Sequence, residues 1–330
     1  MPGGPVAEGR GSEGGLAAHG RGGGSSGSRG GRRGGTAGGE PLTYDRAMSY
    51  TMLRLRPPEQ GEVTLTLVPA TEDGGGRGAR GGVLVLPGGA YGQLAEHEAE
   101  PIAEALAARG FDAAVLRYRL GTAGHRHPAM IRDARLALRT VRGHKDFSAD
   151  RWAVMGFSAG GHLASTLLVH GGSFLDAAGD DEAQRPDAGI LCYAVTDLEN
   201  DQQHSASRDN LLGGESTPEQ RRELTTHRHV DARTPPTFLW HTADDIPVPV
   251  GNSLKFAQAC REAGVPTELH VYESGPHGLA LGEGTPVEGW FDLACAFLGR
   301  HLGSSEASRG QRKSGDAAAG RRHAAPAGRS

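Results

Sequence analysis

The sequence has little cysteine and few aromatic residues for its length of 330 residues. Only three cysteines are present, Cys192, Cys260 and Cys295, and aromatic residues make up 5% of the chain. The cysteines are odd in number, far apart and inside apolar segments. This distribution argues against a disulfide framework and against a cysteine metal site, and it predicts buried free thiols in a reducing compartment.

Long apolar runs are also missing. No stretch approaches the 18 residues that a membrane-spanning helix needs, and the first residues lack the apolar segment of a secretory signal. No group of histidines, cysteines or acids has metal-ligand spacing. The sequence therefore predicts a soluble, cytoplasmic protein with no membrane partner, no bound metal and no cofactor, and it leaves the oligomeric state open.

Large apolar side chains are scarce at both ends of the chain. Residues 1–40 consist almost entirely of Gly, Arg, Ser, Ala and Glu, and residues 303–330 are similar. Such segments bury too little apolar surface to offset the entropy of ordering them, so we predict two disordered tails around one domain at 41–302. Both tails are net basic while the whole chain carries −4, so the core is acidic and nucleic-acid binding is not expected. The run "GRGGGSSGSRGGRRGG" nevertheless resembles RNA-binding Arg-Gly segments, which leaves an RNA contact as an alternative for the first tail.

Predicted strands and helices alternate through the core. The segment 62–68 alternates polar and apolar residues, which indicates an antiparallel strand with one wet face. Further on, short apolar runs alternate with amphipathic segments, which predicts an α/β fold with a mostly parallel, doubly wound sheet and helices on both faces. Strands are predicted at 82–86, 111–118, 151–155, 187–194, 237–241 and 267–272, and helices at 98–109, 128–145, 159–170, 250–263 and 288–301. The polar segment 197–236 interrupts this alternation and is predicted to be a small lid or binding insertion.

A serine lies between glycines at the end of one predicted strand, in "VMGFSAGGH" (154–162). The pattern Gly-x-Ser-x-Gly also occurs at 23–27, but only Ser158 follows a strand and opens a helix. That context is the one required for a nucleophile elbow, in which the serine hydroxyl is exposed on a sharp turn. The alternative is an ordinary strand-to-helix turn in which Ser158 is the helix N-cap.

Three further features follow other predicted strands. The small residues of "LPGGAY" (86–91) would allow backbone N–H groups to reach a substrate oxygen, as in an oxyanion loop. Asp244 and Asp245 follow the strand at 237–241, and His277 follows the next strand. The chain order Ser, Asp, His is that of α/β hydrolases. Each feature alone has an ordinary structural explanation, but their joint order favours a catalytic triad.

These motifs, with "SRDNLLG" (207–213), "PPTFLWHTADDIPVPVGNSLKFAQA" (235–259) and "GVPTELHVYESGPHGLAL" (264–281), resemble the α/β-hydrolase esterase/lipase family. Within it, the resemblance is to the acetyl-xylan-esterase-like and feruloyl-esterase-like (BD-FAE-like) branch. It implies a nucleophile, Ser158, a base, His277, and an acidic partner. That partner is Asp245 and not Asp244, since the family places Val-Pro three residues after the acid. It also implies an oxyanion hole of backbone N–H groups, at Gly89, Ala90 and Ala159, and a substrate-binding residue, Tyr91.

One residue departs from the family pattern, since Ala90 stands where many relatives have a third glycine. A Cβ there, next to Tyr91, favours a narrow acyl site. We therefore expect a serine carboxylesterase that hydrolyses short, mainly acetyl, esters, including those of sugars, through an acyl-enzyme. An amidase or peptidase of the same fold, such as an arylformamidase-like enzyme, and a non-catalytic binding protein are the alternatives.

Overall fold

A computed structural model describes residues 50–71, 80–170, 185–199 and 204–303. The two predicted disordered tails lie outside these residues, apart from Gly303. Strands and helices alternate along the described chain, and the three cysteines are buried and unpaired. The free thiols predicted from their spacing are therefore confirmed.

Eight strands form one sheet in the order β1-β2-β4-β3-β5-β6-β7-β8. Strand β2 pairs antiparallel with both β1 and β4, and all the other pairs are parallel. The parallel part predicted from the alternation of elements and the antiparallel strand near its start are both present. The strands are β1 (Thr51–Arg56), β2 (Val63–Val68), β3 (Gly82–Leu86), β4 (Asp112–Arg117), β5 (Trp152–Phe157), β6 (Ala188–Cys192), β7 (Thr237–Thr242) and β8 (Thr267–Tyr272).

Helices cover both faces of the sheet. Apolar residues of α2, α3 and α6 pack on one face, and those of α1 and α7 pack on the other. The residues of β3 are all buried, and its apolar side chains alternate between the two helix-covered faces of the sheet. Such a strand requires helices on both faces. The helices are α1 (Glu100–Ala108), α2 (Ala129–Arg142), α3 (Ser158–His170), α4 (Ser205–Leu212), α5 (Pro218–Glu223), α6 (Gly251–Glu262) and α7 (Trp290–Leu302).

Two elements have no counterpart in the sequence prediction. Strand β1 is an edge strand whose side chains are all at least partly exposed, so it lacks the apolar run of a buried strand. Helix α4 lies in the 197–236 insertion and buries only Ser207 and Leu211, which gives it no clear apolar stripe. The insertion also holds α5, which begins with a capping box at Thr217 and Gln220. Strand β1 and helix α4 are therefore defined by tertiary pairing and packing more than by a local sequence pattern.

The parallel strands bring distant loops together. Strands β3, β5, β7 and β8 all end at the same edge of the sheet, because parallel neighbours share one direction. The loops that follow these four strands carry the motifs at 86–91, Ser158, Asp245 and His277. This edge is also where open α/β sheets bind their ligands.

Candidate active site

Ser158 occupies a sharp turn between β5 and α3. Its φ is +50°, a left-handed conformation that a non-glycine residue seldom adopts without support from its surroundings. Close packing supplies that support, since a Cβ on Gly156 would lie 2.2 Å from the Gly160 carbonyl oxygen. A Cβ on Gly160 would lie 2.0 Å from the Leu86 carbonyl oxygen. Both positions therefore require glycine, because the backbone segments around Ser158 pack too closely to leave room for a side chain.

A chain of hydrogen bonds connects the three predicted site residues. His277 Nε2 lies 2.8 Å from Ser158 Oγ, and His277 Nδ1 lies 2.7 Å from Asp245 Oδ2. Since a carboxylate only accepts, Nδ1 carries the ring proton and Nε2 of the neutral ring accepts from the serine hydroxyl. Asp244 does not take part, because its carboxylate accepts the Gly275 N–H at 2.8 Å. The structure therefore brings Ser158, His277 and Asp245 together and leaves Asp244 outside.

Asp245 is held by more than its contact with His277. Its Oδ1 accepts the Val248 N–H at 2.9 Å, and the Nε2 of His241 lies 3.3 Å from its Oδ2. Burial by itself raises the pKa of this carboxyl, but hydrogen bonds from His241, His277 and Val248 outweigh burial and lower the pKa to about 2. The Asp245 side chain is therefore an ionised acceptor at neutral pH.

His241 is a second imidazole on the same carboxylate. It is fully buried, and its Nδ1 lies 2.8 Å from Ser253 Oγ while its Nε2 lies 2.8 Å from the Val248 carbonyl oxygen. Because that carbonyl can only accept, Nε2 carries the proton, which it also directs toward Asp245. Sequence reasoning assigned no role to His241, although it lies in β7, the strand that precedes Asp245.

The loop after β3 contributes Gly89 and Ala90 to the lining of a cleft beside Ser158. Within the described residues, the N–H groups of Gly89 and Ala90 donate no hydrogen bond. The Ala90 carbonyl oxygen accepts a hydrogen bond from the Asn210 side-chain amide at 2.9 Å. The N–H of Ala159 belongs to the first turn of α3, where helix amides lack a partner within the helix. Gly89 and Ala90 line the cleft, whereas Ala159 is fully buried and does not line it. An oxyanion hole formed by these three N–H groups stays a prediction.

Ala90, the residue that departs from the family pattern, has a φ of +56°. Alanine in this left-handed region costs roughly 1–2 kcal/mol relative to its ordinary conformations, a cost that glycine does not carry. The loop therefore keeps the conformation that glycine would favour, and Ala90 adds a Cβ to the wall of the cleft.

Tyr91 is placed differently from the sequence prediction. Its side chain is buried, and its hydroxyl lies 2.8 Å from Nδ1 of His162. Nε2 of His162 donates to the Leu224 carbonyl at 2.7 Å, and burial lowers the pKa of His162 to about 4, so the ring is neutral and Nδ1 accepts from Tyr91. Tyr91 thus links the oxyanion loop to α3, and this placement does not support a direct contact with substrate. The backbone at Tyr91 has a φ of +57°, in the left-handed region.

A cleft of about 480 Å³ lies above Ser158 and His277. Its walls are small or polar, and none of the lining residues has a large apolar side chain. Besides Ser158 and His277, the lining comprises Gly89, Ala90, Gly92, Gln93, Ala95, His97, Glu98, Thr122, His204 and Gly278. Sequence reasoning singled out neither Glu98 nor His204. His204 comes from the 197–236 insertion, and its Nδ1 lies 2.8 Å from Ser207 Oγ.

The model of the BD-FAE family matches residues 78–260, which is more than half of the chain. The chain belongs to the BD-FAE family. The match includes β3 to β7 with the oxyanion loop, Ser158 and Asp245, and it ends before His277. The resemblance noted from the motifs is thereby confirmed at the level of the family.

Relatives of this BD-FAE chain include two curated bacterial proteins. It is 34% identical to the endo-1,4-β-xylanase B of Butyrivibrio fibrisolvens over 217 residues, which cover 63% of this chain and 34% of that protein. It is 31% identical to the acetylxylan esterase of Xylanibacter ruminicola over 212 residues, which cover 61% of this chain and 41% of that protein. The aligned region thus spans about a third to two-fifths of each curated relative.

Among solved structures, an acetyl ester-xyloside bifunctional hydrolase from Caldicellulosiruptor lactoaceticus is similar to this BD-FAE chain. The TM-score is 0.66 at 37% identity, with 75% of this chain and 94% of that chain covered. The fold is therefore that of the α/β hydrolases, as the motifs predicted. Within the described ranges, every helix is too short or too polar to cross a bilayer, and no three His, Cys, Asp or Glu side chains are grouped as metal ligands.

Proposed function

We propose that the protein is a serine carboxylesterase that hydrolyses short acyl esters, acetyl esters first, including those carried by sugars. The observation that carries the proposal is the hydrogen-bonded chain Ser158–His277–Asp245, which opens on a cleft beside unpaired backbone N–H groups. The names of the acetylxylan esterase of Xylanibacter ruminicola and of the acetyl ester-xyloside bifunctional hydrolase agree with it.

The first half of the proposed reaction forms an acyl-enzyme. His277 Nε2 takes the proton of Ser158 as Oγ attacks the ester carbonyl carbon, which gives a tetrahedral oxyanion. The N–H groups of Gly89, Ala90 and Ala159 stabilise that oxyanion, and each such donor contributes roughly 10²–10³ in rate in enzymes of this kind. His277 then protonates the departing alkoxide, so that the alcohol leaves and the acyl group stays on Oγ.

The second half returns the enzyme to its starting state. His277 removes a proton from water, the hydroxide attacks the acyl carbonyl, and the carboxylic acid leaves as Ser158 regains its proton. Asp245 orients the imidazole and stabilises its cationic form in both halves. Because Asp245 is held by His241 and Val248 as well, its carboxylate does not need to move between the two steps.

The cleft walls support the short acyl group. A long acyl chain is stabilised by about 0.8 kcal/mol per buried CH₂, but only where apolar walls receive it. None of the residues that line the cleft contributes a large apolar side chain, and Tyr91 is buried and is not among them. The polar rim of Gln93, Thr122 and His204 suits an alcohol that carries further hydroxyl groups.

The test compares hydrolysis of p-nitrophenyl acetate by the full chain with that of Ser158→Ala. The matched control is Ser165→Ala, a buried serine on the same helix that does not line the cleft. We expect Ser158→Ala to lose about 10⁴-fold or more in kcat, and the control to keep the wild-type rate. Equal rates in wild type and Ser158→Ala would refute the proposal.

A second panel separates the acyl and leaving groups. Hydrolysis of p-nitrophenyl acetate should exceed that of the decanoate in kcat/KM, and acetylated xylose should release acetate. Faster cleavage of p-nitroacetanilide than of the acetate ester would support an amidase instead. A protein inert both to esters and to a serine-directed phosphonate would be a binding protein of this fold.

A further inference from the structure

Glu98 is a buried acid in the wall of the cleft. The residue is 2% exposed, its Oε2 accepts the Gly88 N–H at 2.8 Å, and its Oε1 accepts the Tyr193 hydroxyl at 2.7 Å. A Cβ on Gly88 would lie 2.7 Å from Glu98 Oε2 and 3.0 Å from Ser158 Cβ, so the carboxylate and the nucleophile are close neighbours. Glu98 thus contacts the loop that carries Gly89 and Ala90, and all three residues line the same cleft.

Tyr193 extends this contact to the histidine loop. Its hydroxyl accepts the Ala280 N–H at 3.0 Å while it donates to Glu98, and its ring centroid lies 5.0 Å from that of His277. Burial, with the nearby Glu98 charge, raises the pKa of Tyr193 well above its usual value, so the hydroxyl keeps the proton that it donates. The backbone at Tyr193 has a φ of +37°, an unusual conformation at the end of β6 that is consistent with a constrained position.

A third contact joins the same two loops. His97, the neighbour of Glu98, places Nε2 3.0 Å from the Gly278 carbonyl oxygen. The segment before α1 thus contacts the oxyanion loop at Gly88 and the histidine loop at Gly278. Through Tyr193 it also contacts Ala280.

We propose that Glu98 and Tyr193 form a bridge that positions the oxyanion N–H groups relative to His277. This inference rests on the proposed function. By accepting the Gly88 N–H, Glu98 fixes the peptide just before the two unpaired donors of Gly89 and Ala90. By accepting from Ala280 and contacting His277, Tyr193 holds the loop that carries the base. Neither side chain takes part in bond making, so both are positioning residues.

The bridge requires a side chain with two acceptor oxygens at position 98. Both Glu98 oxygens accept, whereas a glutamine amide offers one acceptor and one donor and cannot satisfy both partners in the same arrangement. Glu98→Gln is thus nearly isosteric but breaks one half of the bridge. Tyr193→Phe keeps the ring and removes only the hydroxyl, so it breaks the other half.

The test measures kcat, KM and thermal unfolding for Glu98→Gln, Tyr193→Phe and the double variant. The matched control is Asp112→Asn, which also removes a buried carboxylate that accepts backbone N–H groups, at the opposite edge of the sheet. We expect kcat for p-nitrophenyl acetate to fall about tenfold to hundredfold in Glu98→Gln, with KM within about threefold. The double variant should lose little more than Glu98→Gln alone, because the two side chains act as one unit.

The control decides between positioning and stability. Asp112→Asn should lower the unfolding temperature while kcat stays within about twofold of wild type. If Glu98→Gln also leaves kcat within twofold, or if both variants lose kcat in proportion to their loss of stability, the bridge has no positioning role and the inference is overturned.

Hydrogen exchange gives a readout that does not depend on turnover. Glu98→Gln should speed amide exchange both in the loop at 87–92 and in the loop at 278–282, and Asp112→Asn should speed neither. Acceleration in one loop alone, or in neither, would overturn the link between them. A wild type that hydrolyses no ester would refute the proposed function and the catalytic part of this inference, while exchange would still decide whether the bridge couples the loops.

Discussion

Asp112 and Asp245 are both buried acids, and they lie at opposite edges of one sheet. Asp112 begins β4, and its carboxylate accepts the N–H groups of Ala70, Ser148 and Ala149 at 2.8–3.0 Å. Asp245 follows β7 and accepts from one backbone N–H and two imidazoles. Both residues are buried, with exposed fractions of 2% for Asp112 and 5% for Asp245. The two carboxylates differ in their hydrogen-bond partners.

The difference shows how this fold separates stability from chemistry. A carboxylate bonded only to backbone N–H groups holds loops together, since its partners neither titrate nor move. A carboxylate bonded to His277 can respond to the proton on that ring, which in turn reaches Ser158. Of these two buried acids, only Asp245 is connected through a titratable side chain to Ser158.

The strongest test of the comparison replaces each acid by its amide. Asp245→Asn should lower kcat for p-nitrophenyl acetate by about 10³–10⁴, because the amide no longer fixes the His277 tautomer or stabilises its cation. Asp112→Asn should leave kcat unchanged. Comparable losses in both variants, measured at a temperature where both remain folded, would remove the distinction.

Asp112→Asn, which should leave kcat unchanged, should lower the stability of the fold. Asn at this position keeps one acceptor oxygen in place of two, so at least one buried N–H loses its partner. Urea unfolding at pH 7 should give a free energy of unfolding about 1–3 kcal/mol below that of wild type. An unchanged unfolding midpoint would mean that the three N–H contacts contribute nothing measurable.

Low pH should reduce the contribution of Asp245 to the free energy of unfolding. The folded-state pKa of about 2 is below the usual value of 3.8, so the stabilising contribution is present above pH 4 and is lost as pH falls toward 2. Between pH 5 and pH 2.5, wild type should lose about 1–2 kcal/mol of unfolding free energy more than Asp245→Asn does. Parallel pH profiles for the two proteins would contradict the lowered pKa.

The smallest expected effect concerns substrate recognition at the same edge. His204 lines the cleft, and its Nδ1 is engaged by Ser207. Among the described residues Nε2 has no hydrogen-bond partner, so we expect it to contact a substrate hydroxyl. His204→Ala should raise KM for acetylated xylose about threefold to tenfold, the value of one hydrogen bond, and leave KM for p-nitrophenyl acetate unchanged. His204→Gln should restore part of the loss. An equal rise in KM for both substrates would mean that His204 stabilises the structure of the insertion and does not recognise the alcohol part of the substrate.

Local patterns determined most of the fold and part of the site. The apolar runs of β3 and β5 and the stripe of α2 are properties of consecutive residues, so these elements could be predicted with ends that differ by a few residues. Ser158 was identifiable because the strand and helix around its motif are local too. His277 and Asp245 required the order of strands and the family resemblance as well.

Only the tertiary structure decided how side chains from distant segments meet. Glu98 looks in the sequence like any acid before a helix, and its partners Gly88 and Tyr193 are 10 and 95 residues away. Tyr91 was expected to bind substrate, but its side chain is buried and its hydroxyl contacts His162. Sequence pattern encodes which residues are apolar and where chains turn. The direction of a side chain in a loop depends on φ and on contacts far along the chain, which no local pattern contains.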